Sequence, residues 1–120
     1  MNNNENTSSP TPDLSFLKEM LGDDKETLKE ILSIFLEEGP ILLNQLQRAT
    51  QEKDHDSLNK ITHKMIAELT TVGVTSVVYD LKRINKSSRE MVDLDKVIER
   101  VTKVINDSFE YFKTIVLDIS

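Results

Sequence analysis

The chain of 120 residues is 38% hydrophobic and 30% charged, with a formal net charge of −6, which suits one soluble domain with one core. No apolar run approaches the ~20 residues that a membrane span needs, and the acidic balance, with no stripe of basic residues, argues against nucleic acid as a partner. The absence of cysteine excludes disulfides and thiol chemistry.

The N-terminal residues are too polar to fold. Residues 1–11 are mostly Asn, Ser, Thr and Pro with almost nothing to bury, which predicts a disordered tail before one domain of residues 12–120. The start also lacks the basic and apolar regions of a signal peptide. We therefore expect a cytoplasmic protein, and the polar start favours a free-standing one.

Start signals and apolar spacing predict two helices in the first half of the chain. A short helix covers residues 11–21, with a cap and a proline in its first turn, and Gly22 ends it in a left-handed conformation. Asp23 opens a second helix with a start that resembles a capping box, and this helix ends near Lys53. The Gly39-Pro40 step removes a backbone donor, so we expect one long kinked helix or two nearly collinear ones.

The third helix carries His63. Asp54 or Asp56 caps this helix, and Gly73 ends it. At ~100° per residue its apolar residues gather on one side, and His63 lies ~140° from the Leu58 direction, toward solvent. This placement leaves an idle surface histidine and a functional one as alternatives. The predicted core stripe is Leu58, Thr62, Met65, Leu69 and Val72, flanked by Ile61, and the exposed neighbours of His63 are Asn59, Lys60, Ala67 and Thr70.

Two further helices complete an all-α fold. Thr75 or Ser76 caps a fourth helix, residues 85–90 form a polar loop, and Asp93 caps the last helix. The fold prediction is an antiparallel four-helix bundle with a short additional N-terminal helix. The last helix carries a narrow seam at alternating steps of four and three, namely Leu94, Ile98, Val101, Ile105, Ser108, Phe112, Ile115 and Ile119.

A sparse set of residues across 14–90 matches a known family in order and spacing. The set is Phe35, Leu43, Leu46, Ala49, Asp54, Leu58, His63, Lys64, Met65 and Gly73. It resembles the histidine-containing phosphotransfer (HPt) domain, in which a helix presents a His-Lys-hydrophobe block and a glycine follows ten residues later.

The resemblance implies a phosphorelay carrier and not a turnover enzyme. His63 would accept a phosphoryl group from the aspartate of a response-regulator receiver domain and pass it to another receiver. The implied partners are receiver domains and a hybrid sensor histidine kinase. Lys64 and Lys60 would stabilise the phosphoryl group. The resemblance implies a monomer with no cofactor and no metal of its own, since the receiver supplies the metal ion. Residues expected to dock the receiver are Ile66, Ala67, Asn59 and Thr70.

Two positions depart from the family pattern. Ile66 stands where the family often has a second lysine, and Ala67 stands where it usually has glycine. These departures favour an alternative, a helical interaction module that binds a receiver or another signalling partner without carrying phosphate. Ile66 is alternatively core packing, or part of an apolar docking patch with Leu14, Leu17 and Met20.

A metalloenzyme is the remaining alternative. Glu52 and His55 form one Glu-x-x-His motif, but a di-iron bundle needs two such motifs and two further carboxylates. His55 and His63 are eight residues apart, ~12 Å along a helix, which is too far to share a metal ion. The sequence therefore predicts no metal site.

Overall fold

Stretches with apolar residues at helical spacing form five α-helices in the computed structural model, which describes residues 9–120 and contains no strand within that range. The all-α prediction is confirmed. The helices are α1 (Ser15–Leu21), α2 (Lys25–Gln51), α3 (His55–Thr71), α4 (Val78–Ser87) and α5 (Leu94–Ile119), with short 3₁₀ helices at Thr75–Val77 and Ser88–Glu90.

Aspartates cap helices α2 and α3. The Asp24 carboxylate accepts a hydrogen bond from the backbone N–H of Thr27 at 3.0 Å, so the predicted cap at Asp23 is wrong by one residue. Asp54, one of the two alternatives for α3, accepts from the N–H of Ser57 at 3.1 Å. Hydrogen bonds from the hydroxyl and N–H of Ser57 hold the pKa of the Asp54 carboxyl below its ordinary value.

Three other predicted boundaries are wrong. The first helix begins at Ser15, because the Asp13 carboxylate binds the Ser15 N–H at 2.9 Å and makes a turn where a first helical turn was expected. The start of α4 has no side-chain cap, since a 3₁₀ turn leads into it. Residues 85–90, expected to form a loop, continue α4 and its following 3₁₀ helix. By contrast, Asp93 occupies the predicted N-cap position of α5, although its side chain makes no capping hydrogen bond there and its carboxylate lies 3.4 Å from Arg83.

Helix α2 runs without interruption through Gly39 and Pro40. Of the two alternatives predicted for this step, one long helix is therefore the one observed. The glycine is explained by packing: a Cβ at Gly39 would lie 2.5 Å from the ring of Phe109 on α5. The Phe35 ring also packs against Phe109 and Phe112, with centroid distances of 5.4 and 5.5 Å.

Helix α2 contacts α1, α3 and α5, while α4 contacts α3 and α5. The predicted seam of α5 is buried at its middle positions and half-buried at Leu94, Ile115 and Ile119. Val97 and Phe109 are buried too and were missed, because α5 packs against two helices and its apolar face is wider than a narrow seam.

The segment before α1 is tied to the helices at two points. The Ser9 hydroxyl donates a hydrogen bond to the Asp107 carboxylate on α5 at 2.6 Å, and the Asp13 N–H donates to the Gly73 carbonyl oxygen at 2.9 Å. Of the predicted disordered tail, residues 1–8 lie outside the described residues, whereas Ser9 makes a defined contact. Over residues 9–120 no helix has both the length and the apolar character that a membrane crossing requires.

Candidate functional site

The helical wheel of α3 predicted its two faces correctly. All five residues of the predicted core stripe are buried, and Ile61 is half-buried beside them. The buried Thr62 is satisfied within its own helix, since its hydroxyl donates to the Leu58 carbonyl oxygen at 2.7 Å. His63 is exposed in the middle of α3. Its imidazole is therefore open to a molecule that approaches from solvent.

His63 lies in a shallow surface depression of about 310 Å³, which is lined by Asn59, Lys60, His63 and Asn85. The first three residues come from α3, where positions three and four residues apart are neighbours on the surface. Asn85 comes from α4 and closes one side. The structure thus brings two of the predicted residues, Asn59 and Lys60, to the histidine.

Asn85 is the residue of this site that the sequence did not reveal. Its side-chain N–H₂ donates to the Asn59 carbonyl oxygen at 2.7 Å and to the Thr62 hydroxyl oxygen at 3.1 Å. The polar run of residues 85–90 predicts a loop, so the sequence does not place Asn85 on a helix beside His63. The available signal was helical spacing, since Asn85 follows Leu81 by one turn and flanks the buried face of α4.

The two predicted cations are placed differently. Lys60 and Lys64 are both exposed, but only Lys60 lines the depression that contains His63. Lys64 lies near Glu68, whose carboxyl has a raised pKa because it is partly desolvated and close to Glu38 on α2, while the Lys64 charge acts in the opposite direction. Lys60 is therefore the better placed of the two to meet an anion beside the imidazole.

Three of the four predicted docking residues are exposed on the side of α3 that carries His63. Asn59, Ala67 and Thr70 are exposed, and Ile66 is half-buried against the core. The Thr70 hydroxyl donates to the Ile66 carbonyl oxygen at 2.6 Å.

The predicted apolar docking patch of Ile66 with Leu14, Leu17 and Met20 is wrong in composition. Leu14 and Leu17 are buried in the core and unavailable to a partner, whereas Met20 is exposed. Phe16, which the sequence did not single out, is also exposed.

The second histidine has a structural environment. His55 is half-buried at the start of α3, and its Nδ1 lies 2.8 Å from the hydroxyl oxygen of the buried Ser88. Among the described residues no group of three or more His, Cys, Asp or Glu side chains is placed to hold a metal ion. His55 thus joins the start of α3 to the 3₁₀ helix after α4.

Comparison of the chain with protein-family models, curated proteins and solved structures gives no match. The chemistry of the site therefore has to be argued from its own groups. A neutral imidazole is a nucleophile, the lysine in the same depression is a fixed positive charge, and the surrounding surface is open. This arrangement fits attack on an electrophile that a larger partner presents.

Proposed function

We propose that this chain is a histidine phosphotransfer protein of a two-component phosphorelay, with His63 as the phosphoacceptor. The observation that carries the proposal is the exposed His63 in mid-helix, in an open depression beside Lys60. The resemblance of the residues around His63 to the HPt pattern supports it. In this proposal α2 to α5 form the antiparallel four-helix bundle of such domains, and α1 is the additional N-terminal helix.

The proposed reaction is an in-line transfer between the two proteins. A lone pair of the His63 imidazole attacks the phosphorus of a receiver's aspartyl phosphate, and a P–N bond forms. The P–O bond to the aspartate breaks, its electron pair stays on the carboxylate, and the imidazole keeps its proton on the other ring nitrogen. A second receiver reverses these changes when it takes the group. Such transfers depend mainly on positioning and charge stabilisation, for which this chain supplies Lys60.

The proposed partner surface surrounds His63. Asn59, Ala67 and Thr70 are exposed there, and the small Ala67 side chain lies one turn after the histidine, where a bulky residue would obstruct a docking protein. The exposed Phe16 and Met20 on α1 offer apolar area to the same class of partner, a receiver domain. The chain works as a monomer in the cytoplasm in this proposal.

The test is phosphoryl transfer from phosphorylated receiver domains to the wild-type chain, His63→Gln and His55→Gln. We expect acid-labile, base-stable label on the wild-type chain and on His55→Gln, and none on His63→Gln. Because His63 is exposed, its substitution should change the free energy of unfolding by no more than about 0.5 kcal/mol. Label on His63→Gln would place the acceptor elsewhere and refute the proposal.

A non-phosphorylated interaction module is the second candidate. Ile66 and Ala67 favour it, since the former brings no positive charge to the histidine and is held against the core. The same experiment separates the two functions. A receiver that binds the chain without ever labelling His63 would support the second.

A further inference from the structure

Charge is distributed unevenly along the chain. Residues 78–103 contain seven of the 15 Lys and Arg residues but only five of the 21 Asp and Glu residues, a formal charge of +2. With a total of −6, the rest of the chain carries −8. The cations thus concentrate on α4, α5 and the turn between them.

Part of this positive charge lies on the exposed face of α4. Tyr79, Lys82 and Lys86 follow one another at steps of three and four residues, so they share one face. All three are exposed, and the Tyr79 side chain retains 72% of its accessible area. Two lysines are not the basic stripe whose absence the sequence predicts, but they give the exposed face of α4 a positive charge beside Tyr79.

Helix α5 presents a second row of cations beside the first. Lys96, Arg100 and Lys103 are exposed at steps of four and three residues, and the Lys103 ammonium pairs with the Asp107 carboxylate at 2.7 Å. The Arg100 guanidinium donates to both carboxylate oxygens of Asp80 on α4, at 2.8 and 3.2 Å, and this pair places the row next to α4. Asp80 is itself buried, and its carboxylate offsets one guanidinium charge, so the unpaired cations of the two rows are mainly lysines.

Apolar side chains accompany the cations. Val92 is fully exposed, and it precedes Asp93, whose carboxylate pairs with Arg83 of α4, so it lies at the edge of the same surface. Tyrosine and arginine are enriched in protein interfaces, where an aromatic side chain supplies contact area and charges supply orientation. The α4–α5 basic surface is defined by Tyr79, Lys82, Lys86, Val92, Lys96, Arg100 and Lys103.

We propose that the α4–α5 basic surface binds an acidic segment of a protein partner that also carries an apolar side chain for Tyr79. Charge complementarity selects an anionic partner. The −8 on the rest of the chain disfavours an extended polyanion such as nucleic acid or an anionic membrane, which would meet that repulsion over a long distance. The proposal is independent of phosphorylation at His63.

The experiment measures binding of the full chain to a short fluorescein-labelled polyglutamate peptide with a central leucine pair. A peptide with lysine in place of every glutamate, a labelled DNA duplex and phosphatidylserine vesicles are compared under the same conditions. The test variant is Lys82→Glu/Lys86→Glu. The matched control is Lys18→Glu/Lys25→Glu, which makes the same change in charge at exposed positions of α1 and α2. Melting curves establish that both variants fold.

We expect the wild-type chain to bind the glutamate peptide in a salt-sensitive manner and to ignore the lysine peptide. The test variant should bind about tenfold more weakly or worse, and the control variant should stay within about twofold. Tyr79→Ser should weaken binding of the leucine-containing peptide but not of plain polyglutamate. Equal losses in the two double variants, tighter binding to the duplex or to vesicles, or no peptide binding at low salt would each overturn the proposal.

Discussion

The Asn85 side chain on α4 donates a hydrogen bond to the Asn59 carbonyl oxygen on α3, with an N···O distance of 2.7 Å. Its second donor reaches the Thr62 hydroxyl oxygen, the residue directly before His63. Helix α4, which does not carry the histidine, therefore holds the turn of α3 that precedes His63. In the proposed phosphotransfer, this contact fixes the position of the imidazole while a partner docks.

Substitution of Asn85 by alanine tests this contact. We expect Asn85→Ala to lower the free energy of unfolding by about 1–2 kcal/mol, because it removes the bonds to Asn59 and Thr62. Transfer to His63 should slow while receiver binding is retained. Urea denaturation and initial rates of labelling measure the two effects. Asn85→Asp is the control of nearly equal size. It should lose as much stability and transfer rate as Asn85→Ala, because a carboxylate cannot donate these hydrogen bonds. Wild-type transfer by Asn85→Asp would contradict the role of the Asn85 donor.

The sequence predicted the helix that bears His63 well, for a physical reason. The stripe of α3 repeats over several turns, so its average direction is well determined, and both the burial of Leu58 and Thr62 and the exposure of His63 follow from it. The capping chemistry of aspartate separately identified Asp54 as one of two alternatives for the start of α3.

The features that were missed depend on neighbouring helices. Val97 and Phe109 are buried only because α5 meets two partners, and Asn85 belongs to the site only because α4 packs on α3. A local polar run, residues 85–90, indicated a loop, but packing keeps it helical. The periodicity of one helix can be read from its own sequence, whereas contacts between distant segments are defined only in the folded structure.

Gly73 is predicted to be sensitive to any side chain. Its φ is +80°, and a Cβ there would lie 1.8 Å from the Asp13 carbonyl oxygen, at the point where the N-terminal segment crosses the end of α3. Gly22 has a φ of +60° but no atom within 4 Å of such a Cβ, so it is the matched control for backbone strain alone. We expect Gly22→Ala to cost about 1 kcal/mol and Gly73→Ala clearly more, in urea denaturation. Equal costs would show that the Asp13 backbone can move away from the new side chain without a further loss of stability.

Glu68 gives the fold a defined pH dependence. Burial, and then the nearby Glu38, raise the pKa of its carboxyl above the ordinary value of 4.5. The folded state therefore binds the proton more tightly than the unfolded state, and this contribution to stability falls as the pH rises through the window above 4.5. The penalty is absent below that window and grows until the carboxyl of the folded protein is ionised.

Glu68→Gln removes the titrating group. We expect its melting temperature to exceed that of the wild-type chain at neutral pH and to match it below pH 4.5. Glu30→Gln removes one exposed charge from α2 and is the control for net charge. A lower melting temperature for Glu68→Gln at neutral pH would mean that attraction to Lys64 outweighs burial and the repulsion from Glu38.

Ile66 offers a test of the proposed phosphotransfer, because it stands where the HPt pattern often has a second lysine. Ile66 lies three residues after His63 and is half-buried against the core, with its carbonyl oxygen bonded to Thr70. A lysine at this position can cover the apolar surface with its methylene stem and extend its ammonium group to solvent on the side of the imidazole. A positioned, partly exposed charge changes such energies by about 1 kcal/mol, or several-fold in rate.

We therefore expect Ile66→Lys to speed phosphoryl transfer to His63, or to lengthen the lifetime of the phosphohistidine, by several-fold. Ile66→Met is the matched control, since it has an unbranched stem of similar reach and no charge. Transfer rate, receiver affinity and melting temperature are measured for both variants. Faster transfer in Ile66→Lys alone assigns the gain to charge. Slower transfer with weakened receiver binding in Ile66→Lys, but not in Ile66→Met, would refute the charge argument and place Ile66 in the partner surface.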